Sequence, residues 1–184
     1  MRGGGVNTEG NEIVDVMQKD RGELESLCSL YVGSDVFGID TRKIREVLGE
    51  RKPQCVPMSP AFVAGVVPYR GEVLTAVNLR SLLGMKSCNE RYCVLVMEDI
   101  EGAERFGLVV DAVGGVVTVS ARMLEPNPST LEARAKWLFE GAYRMEEGLM
   151  VRLNPQKLFP SRLAETGLFQ TSTKGETDAS PDRR

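Results

Sequence analysis

With 184 residues, 42% of them hydrophobic and 27% charged, the chain has the composition of one ordinary globular domain, long enough to be divided into two small halves. A net charge of -3 and an isoelectric point near 5.2 exclude the basic footprint that nucleic acid or an anionic membrane surface requires of a main partner. No apolar run approaches the roughly 20 residues of a spanning helix, and MRGGGVNTEGNEIVDVMQKD holds no signal-peptide core, so a cytoplasmic protein without direct membrane insertion is expected.

Residues 1–23 are glycine-rich and then charged, with a thin apolar stripe over Glu9 to Leu24, and read as a flexible or partly helical extension. Leu27–Val32 and Val36–Ile39 flank Gly33-Ser34-Asp35 and predict a hairpin. A short helix is expected over Thr41 to Leu48, where Ile44, Val47 and Leu48 follow helical spacing and Glu46 and Glu50 share a solvated face. Val63–Val67 and Val73–Leu79 predict a second hairpin around Pro68-Tyr69-Arg70-Gly71, followed by a helical piece from Leu79 to Leu83. Tyr92–Met97 and Phe106–Val110 predict a third, and Val113–Val119 and Leu149–Leu153 two further strands. Gly114-Gly115 interrupts its strand without opening a helix, which marks a bulge or a barrel corner rather than a phosphate loop. The end of the chain, 168–184, is polar with almost nothing to bury and is expected to be disordered. Short strands with turns roughly every ten residues indicate an all-β fold of small barrels or a sandwich, with a few short helices.

The chain also repeats itself. Phe37-Gly38-Ile39 aligns with Phe106-Gly107-Leu108, Ile44 with Val113 and Val47 with Val116. A few residues are then inserted, after which Gly65 aligns with Gly141, Leu74 with Met150, Val77-Asn78 with Leu153-Asn154, and Leu82-Leu83 with Leu158-Phe159. Two similar small barrels are expected within 24–167, packed on each other, with a longer loop in the second repeat at about 124–136. The alignment sets Lys136–Met145 against Pro60–Tyr69. A strand is therefore expected from Arg134 on, against the capping-box look of Ser129-Thr130-Leu131-Glu132, with at most one helical turn before it.

Catalytic and metal chemistry finds little to stand on. There is no histidine, and the four cysteines (Cys28, Cys55, Cys88, Cys93) form no CxxC pair, so reduced and mostly buried thiols are expected. Asp40 and Asp111 each follow an apolar strand and read as strand-end or capping groups. Trp137 reads as a core residue. No catalytic residue, metal ligand or cofactor site is assigned. Arg70 differs, because Pro68 and Gly71 suffice to make the turn, and asparagine, aspartate or lysine would serve at its tip. An arginine on a short rigid turn is either an interface anchor or an exposed surface residue.

FGIDTRKIREVLG, VPMSPAFVAGVVPYRGEVLTAVNLRSLLG, FGLVVDAVGGVV and GLMVRLNPQKLF, in this order and spacing, resemble the CheW family of chemotaxis adaptors over about Leu27 to Phe159. The resemblance implies two intertwined SH3-like five-stranded barrels and a non-catalytic scaffold. Such a scaffold bridges the cytoplasmic tip of a chemoreceptor to the regulatory domain of the CheA histidine kinase, within membrane-associated receptor arrays. It assigns Ile44, Glu46 and Val47 to one side of a receptor groove and Val113 and Val116 to the other, and matches Gly65 to a glycine whose bulky replacement would obstruct that groove. Arg70 matches the arginine of the family's Asn-Leu-Arg-Gly turn, tied to receptor and kinase contacts, while Tyr92, Val94 and Gly107 are further candidates for the kinase contact. The turn here reads Pro-Tyr-Arg-Gly, and Asn78-Leu79-Arg80 stands where the family more often has Asp-Leu-Arg. Three other readings compete: a paralogue serving a non-motility system, a small-molecule-binding barrel using the cleft between halves, and a subunit that only self-associates.

Overall fold

The computed structural model describes residues 24–86, 92–98, 104–127 and 135–167; the expected extension, the polar tail and the capping-box segment at Ser129 lie outside them. Among the described residues the strands are β1 (Leu24–Val32), β2 (Asp35–Asp40), β3 (Ile44–Gly49), β4 (Val63–Tyr69) and β5 (Glu72–Asn78), then β6 (Cys93–Glu98), β7 (Arg105–Val110), β8 (Ala112–Ser120), β9 (Phe139–Met145) and β10 (Gly148–Leu153). The described residues also include two short helices, α1 (Leu79–Leu82) and α2 (Pro160–Glu165). The fold is all-β, two SH3-like five-stranded barrels with few helical turns.

The barrels are not the two halves of the sequence. Barrel A has the strand order β8-β1-β2-β10-β9 and barrel B the order β3-β6-β7-β5-β4. Each combines the first two strands of one repeat with the last three of the other. Each barrel has one antiparallel joint between repeats, β1 with β8 or β3 with β6, and one parallel joint, Val151 of β10 beside Phe37 of β2 or Val77 of β5 beside Leu108 of β7. The joints of one barrel occupy positions equivalent to those of the other, so the exchange is reciprocal. The matched asparagines have a common local cause: the Asn78 side chain accepts from the Ser81 amide at 3.2 Å, and that of Asn154 accepts from Gln156 at 3.0 Å. Each ends a strand and caps the helical turn that follows.

The apolar residues divide accordingly. One cluster lies between the barrels, joining Phe37, Ile39 and Leu153 of barrel A to Val77, Leu95 and Leu108 of barrel B, with Leu82, Leu158 and Phe159 from the turns after β5 and β10. Phe106 meets Phe159 edge to face at 5.0 Å. Barrel B has its own interior around Val67, Tyr69, Leu74 and Val94, and barrel A a smaller one around Leu27, Tyr143 and Met150. Trp137 packs half-buried against the shared cluster, in line with the core reading.

Two expectations are corrected. Thr41–Lys43 is a single 3-10 turn, and Ile44 onward is strand, not helix. Pairing with β6 skips a residue at Arg45 and again at Leu48, and these bulges break the two-residue alternation so that the apolar spacing imitates a helix. Residues 136–138 form a 3-10 turn, and the strand expected from Arg134 begins at Phe139. The bulge expected at Gly114-Gly115 is present: β1 pairs Cys28 with Val116 and Leu30 with Val113, leaving two glycines opposite Ser29. A Cβ on Gly114 would collide with Tyr31, lying 2.7 Å from its Cε2.

Candidate partner-binding surface

The β4–β5 hairpin closes on a two-residue turn, Arg70-Gly71, with Tyr69 paired to Glu72. Both turn residues have positive φ, 47° and 85°, the backbone of a primed hairpin turn. Glycine adopts it freely; arginine there is held at a cost of about 1 kcal/mol. The neighbours that hold it come from β3 and from its own strand. Arg70 Nη2 donates to Glu46 Oε2 at 2.7 Å, and its guanidinium lies over the Tyr69 ring, 5.3 Å from the centroid. Tyr69 donates its hydroxyl to the same Glu46 oxygen at 3.0 Å, while its ring is buried in the barrel B interior. The tip therefore presents the arginine and not the aromatic ring. Glu72, on the far side of the turn, accepts from Arg105 at 3.0 Å, and Arg105 Nε also donates to Glu98 at 2.8 Å. That hydrogen bond, helped by Arg45, holds the Glu98 carboxyl below its ordinary pKa.

The other candidates fall at related places. Ile44 and Val47 lie on β3 and Val113 and Val116 on β8, the edge strands of the two barrels. Ile44 and Val113 are half-buried against the cluster shared by both barrels, whereas Val47 and Val116 are 46% and 64% exposed. These are paired positions of the duplication. The structure thus brings Glu46 to Arg70 and sets the four apolar candidates on two equivalent edges.

Gly65 is buried, and its constraint is internal. At φ 139° its Cβ would lie 2.6 Å from the Gln54 carbonyl carbon, where Gln54 and Val66 form an isolated bridge. Gly141 repeats this against Glu125 in the second barrel. Of the weaker candidates, Val94 is fully buried in the barrel B interior and Gly107 is buried beside it. A Cβ on Gly107 would press on Val94 and Val67, so this glycine makes room for packing. Neither residue is available to a partner in this structure. Tyr92 is half-buried against the same interior.

Sequence reasoning missed the Glu46–Arg70 pair because it placed Glu46 on a helix. Asp111 does follow β7 and, as a strand-end or capping group would, accepts from the Gly33 amide at 2.7 Å; what sequence reasoning missed is its pairing with Arg80 of the α1 turn. The pair joins barrel A's first turn to barrel B's helix. The arginine in Asn78-Leu79-Arg80 was the available signal.

Two packed SH3-like barrels, with interiors filled by their own side chains and two exposed apolar edges, define a binding frame. Residues 26–163 match the CheW-like domain, and the chain belongs to that family. It is 30% identical over 141 residues to the chemotaxis protein CheW of Rhizobium meliloti, covering 76% of this chain and 90% of the relative. Protein FrzA of Myxococcus xanthus is 28% identical over 118 residues, covering 64% and 73%. Among solved structures, the scaffolding protein TtCheW of Thermoanaerobacter tengcongensis superposes with a TM-score of 0.62 at 19% identity, over 71% of this chain and 84% of that one, which is a likeness of fold.

Proposed function

We propose that this chain is a non-catalytic chemotaxis adaptor, coupling the cytoplasmic tip of a chemoreceptor to the regulatory domain of a CheA-type histidine kinase in membrane-associated arrays. Residues 24–167 are the working unit. The observation that carries the reading is the family match across both barrels. The surface is consistent with it: apolar edges at Ile44 and Val47 and at Val113 and Val116 suit an amphipathic helical tip, and Arg70, paired with Glu46, stands at the β3 edge as a charged anchor. Gly65 acts on this surface only indirectly, by letting the Gln54 segment lie on β4. A small-molecule-binding barrel draws no support from the interior of barrel B, which is packed with its own side chains.

The test is binding of the purified chain to a CheA regulatory domain and to a receptor-tip fragment. Arg70→Glu is expected to weaken receptor-tip or ternary binding by about 2 kcal/mol, roughly thirtyfold, with the melting temperature little changed. Unchanged affinity in a folded variant would refute the role of Arg70. Failure to bind kinase and receptor together would refute the adaptor reading.

A further inference from the structure

Barrel A leaves open at its mouth a space that barrel B fills. In barrel B the buried Tyr69 ring packs with Val67, Leu74 and Val96, its hydroxyl is held by Glu46, and Arg70 lies over it. The duplication places Met145 where barrel B has Tyr69, Gly115 where it has Glu46, and Glu146 where it has Arg70. The aromatic plug is replaced by a flexible side chain, its hydroxyl acceptor by no side chain at all, and the tip cation by an anion. What remains is a cleft of about 600 Å³ between β1, β8 and the β9–β10 hairpin. Val36, Val117 and Met145, the half-buried fringe of barrel A's interior cluster, line it together with Tyr31 of β1, which is 38% exposed. Glu146 and Glu147 stand in its wall. Ser29, 5% exposed, also lines it; its hydroxyl donates to the Gly115 carbonyl at 2.8 Å, and the Ser29 Oγ keeps lone pairs with which to accept.

We propose that this cleft is a docking site for an aromatic side chain next to a basic one, presented by another protein. Barrel B is the template: between the equivalent strands a tyrosine ring is accommodated, and an arginine beside it finds a carboxylate. In barrel A Tyr31 of β1 stands in the cleft wall, a second ring has to come from outside and lie beside it, and the carboxylates of Glu146 and Glu147 select a cationic neighbour by charge complementarity. The Ser29 oxygen takes over the hydroxyl-accepting role of Glu46. The volume is ample for a ring and its flanking backbone. A second copy of the chain cannot supply the pair from its own β4–β5 hairpin, because Tyr69 is only 5% exposed there. The site is separate from the surface assigned to the receptor: Val116 and Val117 are neighbours on β8 and lie on opposite faces of it, so this docking does not depend on the adaptor reading.

The experiment titrates the full chain with an acetylated, amidated Gly-Ser-Tyr-Arg-Ser-Gly peptide, followed by amide chemical shifts. Analogues carrying Ala-Arg or Tyr-Glu at the centre serve as comparisons. Shifts centred on Ser29, Met145 and Gly148 are expected, with the Tyr-Arg peptide binding roughly tenfold tighter than either analogue at low salt. The double variant Gly115→Glu, Met145→Tyr rebuilds the barrel B plug and should abolish the shifts. A Cβ at Gly115 meets nothing within 4 Å, so this variant has room to fold. Should it not fold, the exposed pair Glu146→Lys, Glu147→Lys is the second variant, expected to reverse the preference toward the Tyr-Glu peptide. The proposal is overturned by absence of shifts at the cleft with millimolar peptide, by equal affinity for the three peptides, or by wild-type binding in the plugged variant.

Discussion

Alanine at Gly65 tests the tightest constraint in barrel B. The new methyl group would lie 2.6 Å from the Gln54 carbonyl carbon, so the Gln54 segment must move off the edge of β4. That segment is attached by two hydrogen bonds, Gln54 N to Val66 O and Val66 N to Gln54 O, each 2.8 Å. Losing both costs about 1 kcal/mol apiece, net of the water that replaces them. Holding a non-glycine residue at φ 139° adds about 1 kcal/mol. The sum, about 3 kcal/mol, is a large share of an ordinary domain's 5–15 kcal/mol of stability. Urea unfolding should show a lower midpoint at unchanged m-value, and the melting temperature should fall by roughly 6–12 °C. Gly141→Ala should behave alike through Glu125. If Gly65→Ala cost less than about 1 kcal/mol, the internal explanation would fail, and any binding defect of that variant would have to come from obstruction of the surface itself.

Asp111→Asn removes the charge opposite Arg80, whose side chain is 14% exposed, and should lower stability by about 2 kcal/mol in chemical denaturation; an effect under 0.5 kcal/mol would show the two barrels need no such tie. Asp40 is opposed by burial, but hydrogen bonds from Arg42 hold its pKa below the ordinary carboxylate value. The stability it contributes is therefore present above the unfolded pKa of about 3.9 and lost as pH falls through the depressed folded value. Wild type should lose more stability than Asp40→Asn between pH 5 and about pH 3, and equal losses would contradict the pairing. Burial raises the thiol pKa of Cys28 and Cys93, while Cys55 is exposed. Peptide mapping after brief alkylation at pH 8 should find Cys55 modified well before Cys28, and comparable rates would place Cys28 outside the core.

The hairpins and the duplication were legible because turn glycines and matched apolar pairs are local signals. The Asn78 and Asn154 match even had a physical cause, since both side chains cap a helical turn. The exchange of strands between repeats left no such signal. Equivalent strands carry similar side chains, so a partner from either copy satisfies the same neighbours, and self-alignment gives the same result for both arrangements. The helix expected at Thr41–Leu48 failed for a different reason: bulges in β3 shifted apolar residues onto helical spacing. That error hid Glu46 as the partner of Arg70. The left-handed conformation of Arg70 could not be foreseen either, because arginine has no local preference for it and long-range contacts impose it.

The reciprocal exchange also sets the order in which the molecule can be completed as it is synthesised. Barrel B owns strands from Ile44 to Val110 and has its full complement once β7 has emerged. The first hairpin made, β1–β2, has no barrel to enter until β8, β9 and β10 follow. During that interval Leu27 and Phe37, both buried in the finished protein, have no sheet partners beyond each other's strands. A chain cut between β5 and β6 would leave each fragment with five strands drawn from two different barrels. Neither fragment could close a barrel in the native strand order, although mixing the two would restore every native pairing.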